Sequence, residues 1–216
     1  MSSIAPRCKD AARRDFASTL GVWIFLATEL MFFGPLLFGY LYVRIHFPDS
    51  FAAASRHTDV ALGTLNTAVL LTSSMTMAIA AAAHRVDARH LAARLLWVTA
   101  ALGATFLVIK GVEYAHDWRA HLFPGPAFSF PEHGSEVAQL FFFLYFALTG
   151  LHALHLTIGI VLAGTFAFDL HRNRPAFANA QRTELAGLYW HFVDAIWIFL
   201  YPMLYLVGRA ATGEPG

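Results

Sequence analysis

The sequence has almost no cysteine. Its single one, Cys8, sits in the polar stretch before the first apolar run. That excludes an intrachain disulfide and a cysteine-built metal cage, and leaves Cys8 as an expected solvent-facing thiol without a role. Charge is nearly as scarce. Asp, Glu, Lys and Arg make up 13% of the 216 residues, about half their share in an ordinary soluble domain. The 15 Lys and Arg almost cancel the 14 Asp and Glu, so there is no basic face for nucleic acid. No HExxH signature is present, no segment repeats at a fixed period, and no stretch alternates as a lipid-facing barrel strand would. The basic N-terminal segment lacks a short apolar core followed by a small-residue cleavage site, so the N terminus is expected to be retained.

What the chain does have is apolar length. Hydrophobic residues are 57% of it and the mean hydropathy is +0.53, the composition of a membrane protein. A helix rises 1.5 Å per residue and the hydrocarbon core is about 30 Å thick, so a span needs about 20 apolar residues. Five runs meet that length, at about 16–43, 60–83, 95–115, 137–168 and 185–207. Helices are the expected form, because lipid supplies no partner for an unpaired backbone group. The fold class is therefore all-α, a polytopic bundle of five transmembrane helices over residues 16–209. Residues 1–15 form a cytoplasmic segment and residues 210–216 an outer tail.

Basic residues orient this bundle. Arg7, Lys9, Arg13, Arg14, Arg85, Arg89, Arg94, Arg172, Arg174 and Arg182 fall on one side of the spans, and only Arg44, Arg56, Arg119 and Arg209 on the other. The N terminus is expected in the cytoplasm and the C terminus outside, in a bacterial inner membrane. The third connection, FPGPAFSFPEHGSE, reads as an irregular outer loop.

Ionisable groups inside spans are expensive, so each is a candidate site. They are Glu29, Lys110 with Glu113, His152 with His155, and His191 with Asp194. The last three pairs are spaced three apart, which puts each pair on one helix face. Glu29 and Asp194 lie roughly 14 Å from the cytoplasmic ends of their spans, near mid-bilayer, and the histidines of the fourth span roughly 20 to 24 Å from theirs. The expected arrangement is one polar layer of Glu29, His152, His155, His191 and Asp194, with a second pair, Lys110 and Glu113, nearer the outer face. Asp194 would orient His191 or a neighbouring histidine by a charge-assisted hydrogen bond. A carboxylate such as Glu29, alone in mid-membrane, can relay protons or simply hold helices together. Haem or iron would need two imidazoles from different helices, or histidines beside carboxylates. His152 or His155 with His191 are too few for a multi-centre redox core.

Pro35 and Pro202 free the carbonyls of Met31 and Ile198 and are expected to bend their spans near the polar layer. Gly63, Asn66, Thr67, Ser74 and Ala78 make the second span a packing surface. Trp23, Trp97, Trp118, Tyr40, Tyr42, Tyr114 and Tyr205 fit an interfacial belt.

Five motifs carry a resemblance. GVWIFLATELMFFG, LNTAVLLTSS, LVIKGVEY, FALTGLHALHLTIG and YWHFVDAIWIFLYPMLYL occur in this order, and over Gly21 to Arg209 the chain resembles subunit III of haem-copper oxidases in its short, five-helix form. The longer form has two further N-terminal helices, set off by a lipid-filled cleft. The resemblance implies a non-catalytic subunit that binds no haem or copper itself. It would pack against a haem- and copper-bearing subunit I and other oxidase subunits, contact membrane phospholipid, and support stability and proton uptake of the oxygen-reducing core. Glu29 falls on the family's carbodiimide-reactive carboxylate, His152 and His155 on its HxxH, and His191 and Asp194 on its WHFVD. The donor to such a complex is cytochrome c or a quinol. An accessory subunit of a nitric oxide reductase, a haem-binding membrane cytochrome and a proton carrier stand as alternatives.

Overall fold

The computed structural model describes residues 4–125, 128, 135–172 and 179–207, with side chains from Phe16 onward apart from Ser135. Arg7, Cys8, Lys9, Arg13 and Arg14 as side chains, Arg174, Arg209, the 210–216 tail and most of the 123–136 connection lie outside the described residues. The elements are α1 (Ile4–His46), α2 (Pro48–Arg56), α3 (Val60–Arg85), α4 (Arg89–Arg119), α5 (Ser135–His171) and α6 (Ala180–Tyr201), which runs on into a π-helical segment, Pro202–Leu206. Among the described residues there is no strand.

This departs from the five-helix expectation in two ways. First, a short sixth helix, α2, occupies what the sequence reading left as a connection. Pro48 stands at its first turn, where a missing N–H costs nothing and φ is already helical. Its buried face, Phe51, Ala53, Ala54 and Ser55, packs against α5 and the π segment. Second, four helices are long and apolar enough to cross a membrane, over 16–46, 60–85, 89–119 and 136–171. The fifth expected span, α6, has 22 residues, about 33 Å of helix. Its apolar character is diluted by Glu184, His191, Asp194 and several tyrosines and tryptophans.

Those aromatic residues place α6 inside. Helices α3, α4, α5 and α6 close a ring in which each packs on the next and α6 returns to α3. Trp190 and Trp197, seven apart and therefore on one face of α6, are both buried. The indole N–H of Trp190 donates to Ser73 Oγ at 3.2 Å, and that of Trp197 to Thr67 Oγ1 at 3.0 Å. The Trp197 ring meets Phe106 edge-on at 4.7 Å between centroids. Trp190 fits only because two neighbours are glycine. A Cβ on Gly103 would lie 2.9 Å from both Trp190 Cη2 and Ile160 Cγ1, and one on Gly159 would lie 3.0 Å from Trp190 Cε3.

Helix α1 lies outside this ring, against α5, α6 and α2. Only a narrow stripe of it is buried: Leu26, Phe33 and Tyr40, seven apart, with Val43. Trp23, Leu30, Met31, Phe38 and Ile45 face away. Glu29 lies one turn from Leu26 and from Phe33, so it shares the inward stripe.

The glycine positions make a paired test. Gly111 has nothing within 4 Å of an added Cβ, so Gly111→Ala should leave the melting midpoint of the purified protein unchanged or slightly raised. Gly103→Ala should lower stability by about 1–3 kcal/mol through overpacking. Equal midpoints for the two variants would contradict the packing described for Trp190.

Candidate functional site

Two polar clusters stand in the apolar bundle. The first joins α1 to the ring. His155 Nε2 lies 2.7 Å from Glu29 Oε2, with 9% and 18% of the two side chains exposed. His155 Nδ1 lies 2.8 Å from the carbonyl of Leu151 one turn back on α5. A carbonyl can only accept, so Nδ1 carries a hydrogen. The Nε2 to Oε2 contact then holds one proton, either as imidazolium with carboxylate or as neutral imidazole with carboxylic acid. Phe33 covers one side of the ring at 5.4 Å, and the Tyr189 hydroxyl of α6 donates to the His155 carbonyl at 2.9 Å.

The second cluster links α4, α5 and the π segment. Lys110 Nζ donates to Glu113 Oε2 at 3.0 Å, to the Tyr145 hydroxyl at 3.1 Å and to the Tyr205 hydroxyl at 2.6 Å. Both hydroxyls then donate to Glu113 Oε1, at 2.7 and 2.6 Å. All three ammonium hydrogens and both phenolic hydrogens have acceptors, the pattern of an ammonium and a carboxylate whose charges cancel. Rings of Tyr145, Trp197 and Tyr205 lie 4.9 to 5.3 Å from Nζ, close enough to add cation–π attraction. The pair is 5% and 3% exposed. A buried pair survives only when every lone pair and hydrogen is matched in this way.

The π segment makes this geometry available. Its widened turn moves backbone carbonyls off the regular helical ladder. The Met203 carbonyl accepts from the Tyr40 hydroxyl of α1, and the Leu204 carbonyl from Ser55 Oγ of α2 at 3.0 Å. Pro202 thus begins a π segment rather than an ordinary kink. Tyr40 and Tyr205 are correspondingly fully buried and do not belong to an interfacial belt. Trp23, Trp97, Trp118 and Tyr42 are exposed, as that belt requires.

The expected single layer of five residues is not what forms. Only Glu29 and His155 of that set touch. His191 Nδ1 lies 2.7 Å from Ser74 Oγ of α3, a residue read from sequence as mere packing. Asp194 orients no histidine: neither of its oxygens has a hydrogen-bond partner among the described residues. The same holds for both nitrogens of His152, whose ring is walled by Trp197 at 5.1 Å and Phe106 at 5.4 Å. Both nitrogens of His155 are engaged and aromatic rings stand against His152. Among the described residues no three His, Cys, Asp or Glu side chains converge on one point. Tyr145, Tyr205 and Ser74 are the polar partners that sequence reasoning missed. Their only signal was helical spacing, for example Tyr205 eight residues after Trp197.

The Lys110 cluster predicts strong non-additivity. Lys110→Met alone strands Glu113 and should cost about 3–5 kcal/mol, whereas Lys110→Met with Glu113→Leu should recover most of that loss. Denaturation midpoints of the single and double variants measure it. A double variant no more stable than the single one would contradict a mutually satisfied pair.

Comparison with known proteins agrees with the motifs. Residues 14–209 match the family described as cytochrome c oxidase subunit III. Cytochrome c oxidase subunit 3 of Thermostichus vulcanus is 30% identical over 197 residues, covering 88% of this chain and 87% of that protein. The protein of the same name from Alkalihalophilus pseudofirmus is 29% identical over 189 residues, covering 88% and 86%. A probable quinol oxidase subunit 3 of Staphylococcus aureus strain USA300 is 29% identical over 195 residues, covering 90% of each chain. With residues 14–209 of its 216 matching, the chain belongs to the cytochrome c oxidase subunit III family.

Proposed function

We infer that this chain serves its oxidase through the single proton held between Glu29 and His155. The chain is an accessory subunit of a haem-copper terminal oxidase in aerobic respiration, and a multi-pass membrane protein. Reduction of oxygen belongs to a haem- and copper-bearing partner, subunit I, and no step of it runs through residues of this chain. Electrons reach the complex from cytochrome c or from a quinol, the two donors in the relatives' names.

The observation that carries the proton role is the Glu29 to His155 contact at 2.7 Å on a helix most of whose surface is open. A group that exchanges protons with a neighbouring subunit must be reachable, and Glu29 with 18% of its side chain exposed is. It must also hold its proton without a large reorganisation, which a short pre-formed hydrogen bond provides. The Lys110 cluster is the opposite case: buried, fully matched and suited to holding helices rather than exchanging protons.

The remaining placement follows the charge distribution. We place α6 across the membrane as a fifth span, its polar and aromatic face covered by α3, α4 and α5. The N terminus lies in the cytoplasm and the C terminus outside, with the complex in a bacterial inner membrane. The α2 end of the bundle then faces outward. The outward apolar face of α1 meets phospholipid or the neighbouring subunits.

Glu29→Gln keeps the volume and a hydrogen-bonding group but removes the exchangeable proton. The complex should assemble and start at close to the wild-type rate, then take up protons more slowly and inactivate earlier during turnover. Progress curves of oxygen consumption by the reconstituted complex measure this. An inactivation time equal to wild type, or loss of the subunit from the complex, would contradict the proposed role.

A further inference from the structure

A cavity of about 630 Å³ opens between the first turn of α3 and the last turns of α4. Asp59, Glu113, His116 and Asp117 line it beside apolar Leu62 and Val112. Glu113 is paired with Lys110, so Asp59 and Asp117 are the two carboxylates of the cavity without an ion-pair partner among the described residues, beside the imidazoles of His57 and His116. Asp59 is exposed and caps α3, accepting from the Leu62 N–H at 3.1 Å.

Asp117 is the unusual member. It is 6% exposed, lines the cavity, and among the described residues its carboxylate makes neither an ion pair nor a hydrogen bond. It also stands in the last turn of α4, where the helix dipole is negative and disfavours a carboxylate. Lys110 and His116 are near enough to act on it through space, but a buried carboxylate at a helix C-terminus with no direct ion pair or hydrogen bond is still costly. Its position is explained if a cation comes to it from the cavity.

The chemistry of the walls narrows the class of cation. A bare divalent ion wants several oxygen or nitrogen ligands converging at one point, and no three such side chains converge here. The space is also many times the volume of an ion, and part of its wall is aliphatic. We propose that this cavity binds a primary ammonium group carried on a short apolar or glycerol stem, its charge held by Asp117 and Asp59 and its stem lying against Leu62 and Val112. A free alkylamine and the headgroup of phosphatidylethanolamine present the same chemistry.

The test uses the intact oxidase complex purified with this subunit. Hexylammonium chloride is titrated calorimetrically against wild type, Asp117→Asn and Asp59→Asn, with 1-hexanol and magnesium chloride as controls. Asn caps a helix as well as Asp does, so Asp59→Asn removes charge without unfolding α3 and serves if Asp117→Asn disturbs the fold. The expected result is saturable binding of hexylammonium, weakened by about tenfold or more in either variant, as loss of a nearby charge requires, and no saturable binding of hexanol. Complexes in nanodiscs of phosphatidylethanolamine or phosphatidylcholine are then compared by native mass spectrometry. Retention of a phosphatidylethanolamine molecule, lost in Asp117→Asn, assigns a lipid source. Hexylammonium binding without such retention assigns a soluble amine. No saturable binding of hexylammonium, binding unchanged in both variants, or its displacement by an equal concentration of magnesium would overturn the proposal.

Discussion

Lipid cannot hydrogen-bond, and every polar group that enters the membrane must find its partner within the protein. Most of this structure follows from that constraint. Indole N–H groups of α6 bond to hydroxyls of α3. Hydroxyls of α3 and α4 bond back to carbonyls one turn earlier on their own helices. The Lys110 to Glu113 ion pair is embedded in a complete set of donors and acceptors. Asn66, His152 and Asp194, whose polar atoms have no partner among the described residues, are exceptions, as is Asp117 in the last turn of α4.

The π segment is where separate parts of the chain are made to depend on one another. Its side chain Tyr205 completes the Lys110 cluster of α4 and α5. Its carbonyls accept from α1 and α2. Altering this one turn would loosen the outer attachment of α1 and the buried ion pair together. Midway along α1, the Glu29 to His155 contact is the second attachment, and the Phe33 turn of the buried stripe lies between it and the Tyr40 attachment. A helix fixed at two polar points and otherwise loosely packed can sit beside a partner subunit without disturbing the ring behind it.

Much of this was legible in the sequence. Four spans follow from apolar run length, the family from five ordered motifs, and the proximity of Lys110 and Glu113 from their spacing. Glu29 could be recognised as an interhelical residue because no basic residue lies within three turns of it along its own helix. The partner of each group was not legible. His152 and His155 share a helix, three apart, yet one meets Glu29 and the other only aromatic rings. That difference comes from the rotation of α5 relative to α1 and α6, which no local pattern encodes. Tyr205 and Tyr40 lie near span ends, where tyrosine normally anchors to the interface, and the π turn and the α2 helix bury them instead. The α2 helix itself is too short to show a period, and α6 is not among the helices that length and apolarity mark as spans, because tyrosine, tryptophan and polar residues fill positions that the ring, and not lipid, covers.

The central claim is that one proton lies in the Glu29 to His155 hydrogen bond while His155 Nδ1 stays protonated toward Leu151. Nitrogen-15 magnetic resonance of the complex, with histidine labelled and His155 assigned by substitution, reads both nitrogens directly. The account predicts a protonated Nδ1 throughout, and an Nε2 signal shifted by a strong hydrogen bond that changes in Glu29→Gln. A deprotonated Nδ1, or an Nε2 signal indifferent to Glu29, would contradict it.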